Sequence, residues 1–450
     1  MTFTSMSARL ARAYRHLTER PARGLLIGYL AYMLAGWLLL LLPFSRTVPV
    51  AALDSLFIAT SAVSTTGLVT VDPGSSYTFF GELVILALIQ MGGLGYMTIG
   101  SFALIAVQRH LSAERERNAR TAFELPAKMA LQPFIASVVI FTLIAEAAGA
   151  AALYPMLKAA GVEAPLWSAL FHAVSAFCTA GFSLFPTSLE AFSAHPGVVA
   201  VISALSLMGA MGFLIVVDIW RSLRRRRARA FFTTKIIVRI TLAFLVLGTA
   251  LLAIDDPVIA ALPLGERLLA AFFQTMSAAT TVGFDTVPIA ALGPASIMAL
   301  IVLMVIGASP AGTGGGLKTT SFAALFALVR ATLRGEREVR FMNRRLPEEK
   351  IRTAAASLAY YAGVMSVAMI LLLTTEAGQP FESVLFEAVS AIGTVGLSLG
   401  LTSELTAAGK LILIVLMTAG RLGILTFGIA LAVKHMPEPG SETPPEPGAG

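Results

Sequence analysis

One twelve-residue pattern occurs four times in this chain, and its residue types suit the coordination of a hard cation. It reads Phe-x-x-x-Ser-Ala-x-x-Thr-x-Gly-(Leu/Phe), beginning at Phe57, Phe171, Phe273 and Phe386. Glycine permits backbone angles closed to other residues, so successive carbonyls can be turned the same way. The glycines are Gly67, Gly181, Gly283 and Gly396. They are preceded by Thr66, Ala180, Val282 and Val395, and before those by Thr65, Thr179, Thr281 and Thr394. Backbone carbonyls and threonine hydroxyls supply oxygen, and only Cys178 in the second copy offers a softer ligand. Four such turns about one axis would form an oxygen ring at which a cation exchanges its water. A lone Thr-x-Gly carries little weight, because glycines in membrane helices usually serve packing. Four copies with equal offsets in equivalent places are what argue for a shared ring.

The elements that position these turns are apolar. Of 450 residues, 56% are hydrophobic and 13% charged, and the mean hydropathy is +0.80, which places the chain among polytopic membrane proteins. The basic start, residues 1–23, precedes about twenty apolar residues and is read as leading into a retained first span rather than a cleaved signal. Of 33 Lys and Arg, 26 fall in residues 1–23, 108–128, 221–239 and 330–352. This asymmetry puts those four segments, and both termini, on the cytosolic side, and gives no indication of nucleic-acid binding. The Arg224–Arg227 run reads as a topology anchor or a contact for anionic lipid or an acidic partner. A single cysteine rules out an internal disulfide, and five scattered histidines suggest no structural metal site.

The basic segments divide the chain into a cytosolic 1–23, pore unit one at 24–107, unit two at 108–220, unit three at 221–333, unit four at 334–435 and a Pro/Gly/Glu-rich tail at 436–450 read as disordered. Outgoing spans are expected near 24–43, 130–153, 235–254 and 353–374. Returning spans are expected near 79–107, 196–220, 294–330 (interrupted) and 408–434. Each approaches the roughly 20 residues needed to cross a bilayer. The repeat lies between them and its helical part is too short to span, so it is expected to enter from outside as a re-entrant helix and return extended. Asp54, Glu266 and Glu382 lie near three of these helix starts, where a helix dipole favours acids. The expected fold is an all-α membrane protein of four pseudo-symmetric units, each outer helix, re-entrant pore loop and inner helix, around one pore, with eight transmembrane helices.

Two features could gate such a pore. The third returning span is broken by Gly307–Lys318, which contains Pro310 and five glycines, among them Gly312, Gly314, Gly315 and Gly316, with Thr313 between them. That composition cannot continue a helix, and it reads as a flexible loop beneath the turns. It resembles a phosphate-binding loop only superficially, because Gly does not directly precede Lys318 and no strand surrounds it. Ser309 would suit an intramembrane hydrolase, but no His pattern supplies a base. Arg421 is the second feature. Its burial costs at least about 2.5–3.5 kcal/mol, so it must face water or a partner, either the pore or a buried acid such as Glu146 or Asp218. At about 8 Å and an effective dielectric of about 20, it would oppose a passing cation by roughly 2 kcal/mol. Asp72 and Asp285 could concentrate cations at an outer mouth or be ordinary loop acids.

These residues resemble the Trk/Ktr/HKT superfamily of potassium transporters, and the resemblance covers roughly residues 25–434. It implies one filter glycine per unit, at Gly67, Gly181, Gly283 and Gly396. It implies that the Gly307–Lys318 loop obstructs the pore and moves, and that Arg421 lies close to it. Only one span precedes the first turn, which resembles the Ktr branch more than the Trk branch. The resemblance further implies potassium as the transported ion, sodium as a possible activator, no covalent cofactor and no enzymatic activity. The implied partners are membrane lipid, a second copy in a homodimer and a cytosolic RCK-type nucleotide-binding subunit of the KtrA/TrkA kind. The implied location is a prokaryotic plasma membrane. Sodium- or proton-coupled transport remains the alternative reading.

Overall fold

The computed structural model describes residues 21–95, 131–213, 215, 218, 232–310 and 312–432. Residues 1–20, the end of the expected first returning span at 96–107, the basic segment 108–128, the four-arginine run and the tail 436–450 lie outside these residues. The described structure is helical apart from a two-residue-per-strand hairpin.

Each unit begins with a long apolar helix: α1 (Pro21–Leu40), α4 (Leu131–Ala159), α7 (Phe232–Asp255) and α11 (Glu348–Thr375). These are the four described helices long and apolar enough to cross a membrane singly. A short helix carrying the repeat follows each one: α2 (Ala52–Ser64), α5 (Pro165–Phe177), α8 (Leu264–Thr280) and α12 (Phe381–Gly393). Returning helices come next: α3 (Phe79–Leu94), α6 (Pro196–Met211), α9 (Pro294–Val305) and α13 (Ala407–Leu422). Thr78, His195 and Thr406 cap three of them, each side chain accepting a first-turn backbone N–H.

The returning helices are shorter than the sequence suggests. Those of units one, two and four stop at Gly95, Gly212 and Gly423, with φ of 75°, 88° and 83°. The expected span at 408–434 is instead α13 and α14 (Ile424–Leu431), bent by 106° at Gly423. In each case a Gly-x-x-Gly step makes the break: the N–H of the second glycine bonds the carbonyl of the first, Gly95 to Gly92, Gly212 to Gly209 and Gly423 to Gly420. A positive φ at the second glycine ends the helix there. In unit three, α9 ends at Val305, and after the 307–318 loop the chain resumes as α10 (Thr319–Leu333).

The core explains the repeat's apolar positions. One cluster unites unit-one helices with Phe171 and Phe182 of unit two. A second unites unit two with Phe273 and Phe284 of unit three. A third unites unit three with Phe386 and Leu397 of unit four, and a fourth unites unit four with Phe57 and Leu68 of unit one; two smaller clusters lie around α10. Each repeat segment therefore inserts its leading Phe and its post-glycine Leu or Phe into the unit before it, and the fourth core closes on the first. All eight side chains are at most 1% exposed. Burying such a side chain is worth roughly 1.5–3 kcal/mol, so the helix holding each turn is anchored by the neighbouring unit.

Candidate functional site

The four Thr-x-Gly turns share one backbone form. Thr65, Thr179, Thr281 and Thr394 have φ of 52°, 50°, 59° and 50°, four of the seven non-glycine residues with positive φ among those described. Gly67, Gly181, Gly283 and Gly396 follow at 97°, 65°, 79° and 98°. A β-branched residue in the left-handed region is strained by roughly 1–3 kcal/mol, and such strain concentrates at functional sites. Two bonds hold the threonine there. Its N–H reaches the Ala carbonyl of Ser-Ala at 3.1–3.3 Å, and the next N–H reaches the Ser carbonyl at 2.8–3.1 Å in every copy. That pair is a Schellman ending, which gives Ser-Ala its place in the pattern.

The turns meet in a ring. A Cβ on Gly67 would lie closer than 3.0 Å to the Ala180 carbonyl oxygen, one on Gly181 to that of Val282, one on Gly283 to that of Val395, and one on Gly396 to that of Thr66. The order of contact is unit one, two, three, four and back to one. Only glycine tolerates both the backbone angle and this approach.

Side chains behind the ring hold it unequally. Ser61 and Ser390 accept the N–H of Gly67 and Gly396 through Oγ at 3.1 and 3.0 Å. Ser277 instead donates to the Phe284 carbonyl at 2.5 Å. The residue after each repeat Phe is polar in units two to four and grips the extended segment beyond the glycine. His172 Nε2 lies 3.0 Å from Ser183 Oγ, and Gln274 donates to the Val287 carbonyl at 3.3 Å. Glu387 accepts from the Ser398 and Thr402 hydroxyls at 2.5 and 2.6 Å and from the Leu399 N–H at 3.2 Å. Sequence reasoning missed these positions. The signal was an internal comparison that finds His, Gln and Glu at one offset in otherwise apolar helices. Cys178 points away from the turn toward Gln90 and Glu146, 3.8 Å from each.

The Gly307–Lys318 loop lies against the threonines. Thr313 Oγ1 is 3.0 Å from Thr179 Oγ1 and donates to the Phe177 carbonyl at 3.3 Å. A Cβ on Gly314 would collide with Thr281 Oγ1, and one on Gly315 with Thr394 Oγ1. Thr65 Oγ1 reaches the Thr313 carbonyl at 3.4 Å. The loop is tied to the broken end of α6, with the N–H of Thr313 and of Ser309 on the Gly209 and Ala210 carbonyls at 3.1 and 3.2 Å. Lys318 Nζ donates to the Gly314 carbonyl at 2.8 Å. Gly312 and Gly316 take tight turns beside it, Gly316 at φ 73°.

Arg421, in the last turn of α13, donates to Thr65 Oγ1 at 2.8 Å and to the carbonyls of Thr313 and Gly92. Its partners are neutral oxygens of the first turn, the loop and α3, whereas Glu146 faces Cys178 and not Arg421. A cavity of about 320 Å³ opens below the loop, lined by Tyr29, Gly92, Gly312, Lys318 and Arg421 among others. Ser309 accepts from the Thr319 hydroxyl at 3.4 Å, an ordinary structural contact.

The acids near the turns have separate roles. Asp72 caps the short helix Pro73–Ser76 through the Ser75 N–H and hydroxyl. Asp54 at the start of α2 pairs with Lys410 of α13 at 2.6 Å, joining units one and four. Glu266 and Glu382 are exposed in the first turns of α8 and α12, where the helix dipole favours them. Beyond the third turn, the backbone N–H of Asp285 donates to Ser188 Oγ at 3.2 Å, and its carbonyl accepts the Leu189 N–H at 3.0 Å. Burial pushes its carboxyl up to about 7, and Oδ1 is buried without a hydrogen bond. Burial also raises the nearby Glu190 carboxyl.

The chain is similar to known proteins. The TrkH family, described as a cation transport protein, matches residues 36–443. The chain is 36% identical over 422 residues to the Ktr system potassium uptake protein B of Vibrio alginolyticus, covering 93% of this chain and 92% of that one. It is 34% identical to the protein of the same name from Bacillus subtilis, covering 92% and 93%. It is 31% identical to the potassium/sodium uptake protein NtpJ of Enterococcus hirae, again covering 92% and 93%. Among solved structures, the potassium transporter TrkH from Vibrio parahaemolyticus superposes with a TM-score of 0.73 at 21% identity, covering 92% of this chain and 85% of that one.

Proposed function

The chain belongs to the TrkH family of cation transport proteins, and from that premise we propose that it takes up potassium through a pore whose filter is the ring of Thr-x-Gly turns. It is a membrane-embedded transporter and not an enzyme. The observation that carries the filter reading is the closed order of contacts among Gly67, Gly181, Gly283 and Gly396 and their neighbours' carbonyls. Potassium sheds water onto the carbonyls of Thr66, Ala180, Val282, Val395 and the adjacent residues. Sodium, which holds its water more tightly, loses more on entry. Four pseudo-symmetric units with eight spans surround this pore. An inside-negative potential draws the ion inward by about 2.3 kcal/mol per charge per 100 mV.

The 307–318 loop is the gate in this reading. Its backbone under all four threonines, Lys318 on its own carbonyl and Arg421 across it support a closed state. Opening requires Thr313 to leave Arg421 and Thr179. The relatives are named as protein B of a Ktr system, which supports a membrane subunit that works with a regulatory partner; in this reading the partner is a cytosolic RCK-type subunit of the KtrA/TrkA kind acting on the basic face, and the chain forms a homodimer. The relative named for both potassium and sodium supports a second reading in which sodium passes or activates.

Rubidium and sodium uptake into proteoliposomes under a negative-inside potential tests the filter, comparing wild type with Gly283→Ser. Rubidium uptake competed by potassium over sodium, with the preference lost in the variant, supports it. Equal uptake of both ions selects the second reading. No uptake by folded protein, with or without the cytosolic partner, overturns both.

A further inference from the structure

The cytosolic end of α10 carries a basic cavity that the transport path does not use. Residues Arg340–Phe341 and Arg344–Arg345 form an antiparallel hairpin, β1 and β2, closed by Met342 and Asn343 at φ 50° and 62°. Positive φ at both turn residues marks a tight two-residue turn. The hairpin is fixed against the helices: Phe341 packs beside Phe232, and Arg344 lies over the Phe232 ring at 5.1 Å. Between hairpin and helix end lies a cavity of about 500 Å³, lined by Arg330, Arg337, Arg340, Glu336, Glu338, Met342 and Asn343.

The charges there are not balanced. Residues 330–345 hold six arginines against two glutamates. Glu338 is engaged by Arg340 and Arg345 at 2.8 and 3.2 Å, and Glu336 lies 4.0 Å from Arg334. Arg330 and Arg337 have neither an ion pair nor a side-chain hydrogen bond among the described residues. One face of α10 is apolar and exposed, with Phe326, Val329 and Leu333 at 55%, 56% and 83% exposure, spaced as one helical stripe that runs down to Arg330. The opposite face, Ala323, Ala324, Ala327 and Ala331, is buried.

We infer that this cavity binds the phosphate of an anionic phospholipid of the cytosolic leaflet, with Arg330 and Arg337 on the headgroup and Phe326, Val329 and Leu333 along an acyl chain. A free phosphate would use the arginines but gain nothing from the stripe. The negative cytosolic leaflet supplies the complementary charge, and guanidinium groups suit phosphate oxygens. The site does not depend on which ion the pore carries.

Native mass spectrometry of the purified full chain, titrated with short-chain phosphatidylglycerol, phosphatidylcholine or inorganic phosphate, tests this. The expected result is preferential retention of phosphatidylglycerol, weakened about thirtyfold in Arg330→Gln/Arg337→Gln. A charge-matched control on the exposed start of α7, Lys235→Gln/Arg239→Gln, is expected to leave it unchanged, and Leu333→Ser to weaken it without affecting phosphate. Equal binding of the two lipids overturns the assignment, as does an equal loss in both double variants. Phosphate binding as tight as the lipid's overturns the lipid source. Lipid indifference combined with loss of an acidic cytosolic partner in the Arg330/Arg337 variant assigns the surface to protein contact instead.

Discussion

The hydroxyl of Thr313 lies 3.0 Å from that of Thr179, while the Thr313 carbonyl accepts from the Arg421 guanidinium. One loop residue is thus held from two sides, by the second Thr-x-Gly turn and by α13. Thr313 therefore links the position of the loop to the geometry of the first two turns.

Removing the clamp favours the open pore. Arg421→Ala is expected to raise rubidium uptake several-fold, and by up to about thirtyfold if it also removes roughly 2 kcal/mol of repulsion. Proteoliposome flux with a parallel melting curve checks this. Unchanged or lower flux in a normally folded variant would count against the clamp.

The loop glycines admit a steric test. A Cβ at Gly315 would overlap Thr394 Oγ1, and threonine, branched at Cβ, has little freedom to move aside. Gly315→Ala is expected to unseat the loop and raise basal flux. Pairing it with Thr394→Ser, which removes Cγ2, is expected to restore part of the block.

Glu387 governs the fourth post-filter segment. Glu387→Ala leaves the Ser398 and Thr402 hydroxyls and the Leu399 N–H without their acceptor. It is expected to destabilise the protein by about 2–4 kcal/mol and to lower rubidium-over-sodium preference. Glu387→Gln keeps an acceptor oxygen and is expected to fall between. A selectivity ratio unchanged in the alanine variant would confine Glu387 to a structural role.

Asp285 predicts a pH dependence. Burial raises its carboxyl from the ordinary 3.8 to about 7, so the folded state favours the protonated form. Its contribution to stability is full below about pH 4 and is lost as pH rises through about 7. Melting temperature followed across this window is expected to fall less steeply with rising pH in Asp285→Asn than in wild type. Parallel curves would show that the carboxyl ionises freely. Glu190 titrates nearby, so Glu190→Gln is the companion measurement.

The repeat was legible because its residues do the same local work four times: Ser-Ala accepts, Thr turns left-handed, and Gly admits its neighbour. The outgoing helices were legible from length and apolarity. What joins the units was not. Phe57 packs in the core of unit four and Phe386 in that of unit three, contacts that no periodicity encodes. The breaks at Gly95, Gly212 and Gly423 escaped because the flanking residues stay apolar, and hydropathy does not register a change of φ. Arg421 stood out by its cost in the membrane, but its partners are uncharged oxygens on three elements, and a search for a counter-charge points to Glu146 instead.

The circular sharing of cores sets a schedule for biosynthesis. Phe57 and Leu68 are among the first pore residues to leave the ribosome, yet the helices that enclose them, α11 to α13, are among the last. Until unit four is inserted, the first pore segment has its anchor side chains in lipid or against a transient neighbour. Of the four shared cores, a chain arrested before residue 381 would keep whole only those that join units one to two and two to three, and would still lack a seat for its first turn. Completion of the polypeptide and closure of the ring of turns are, for this protein, a single event.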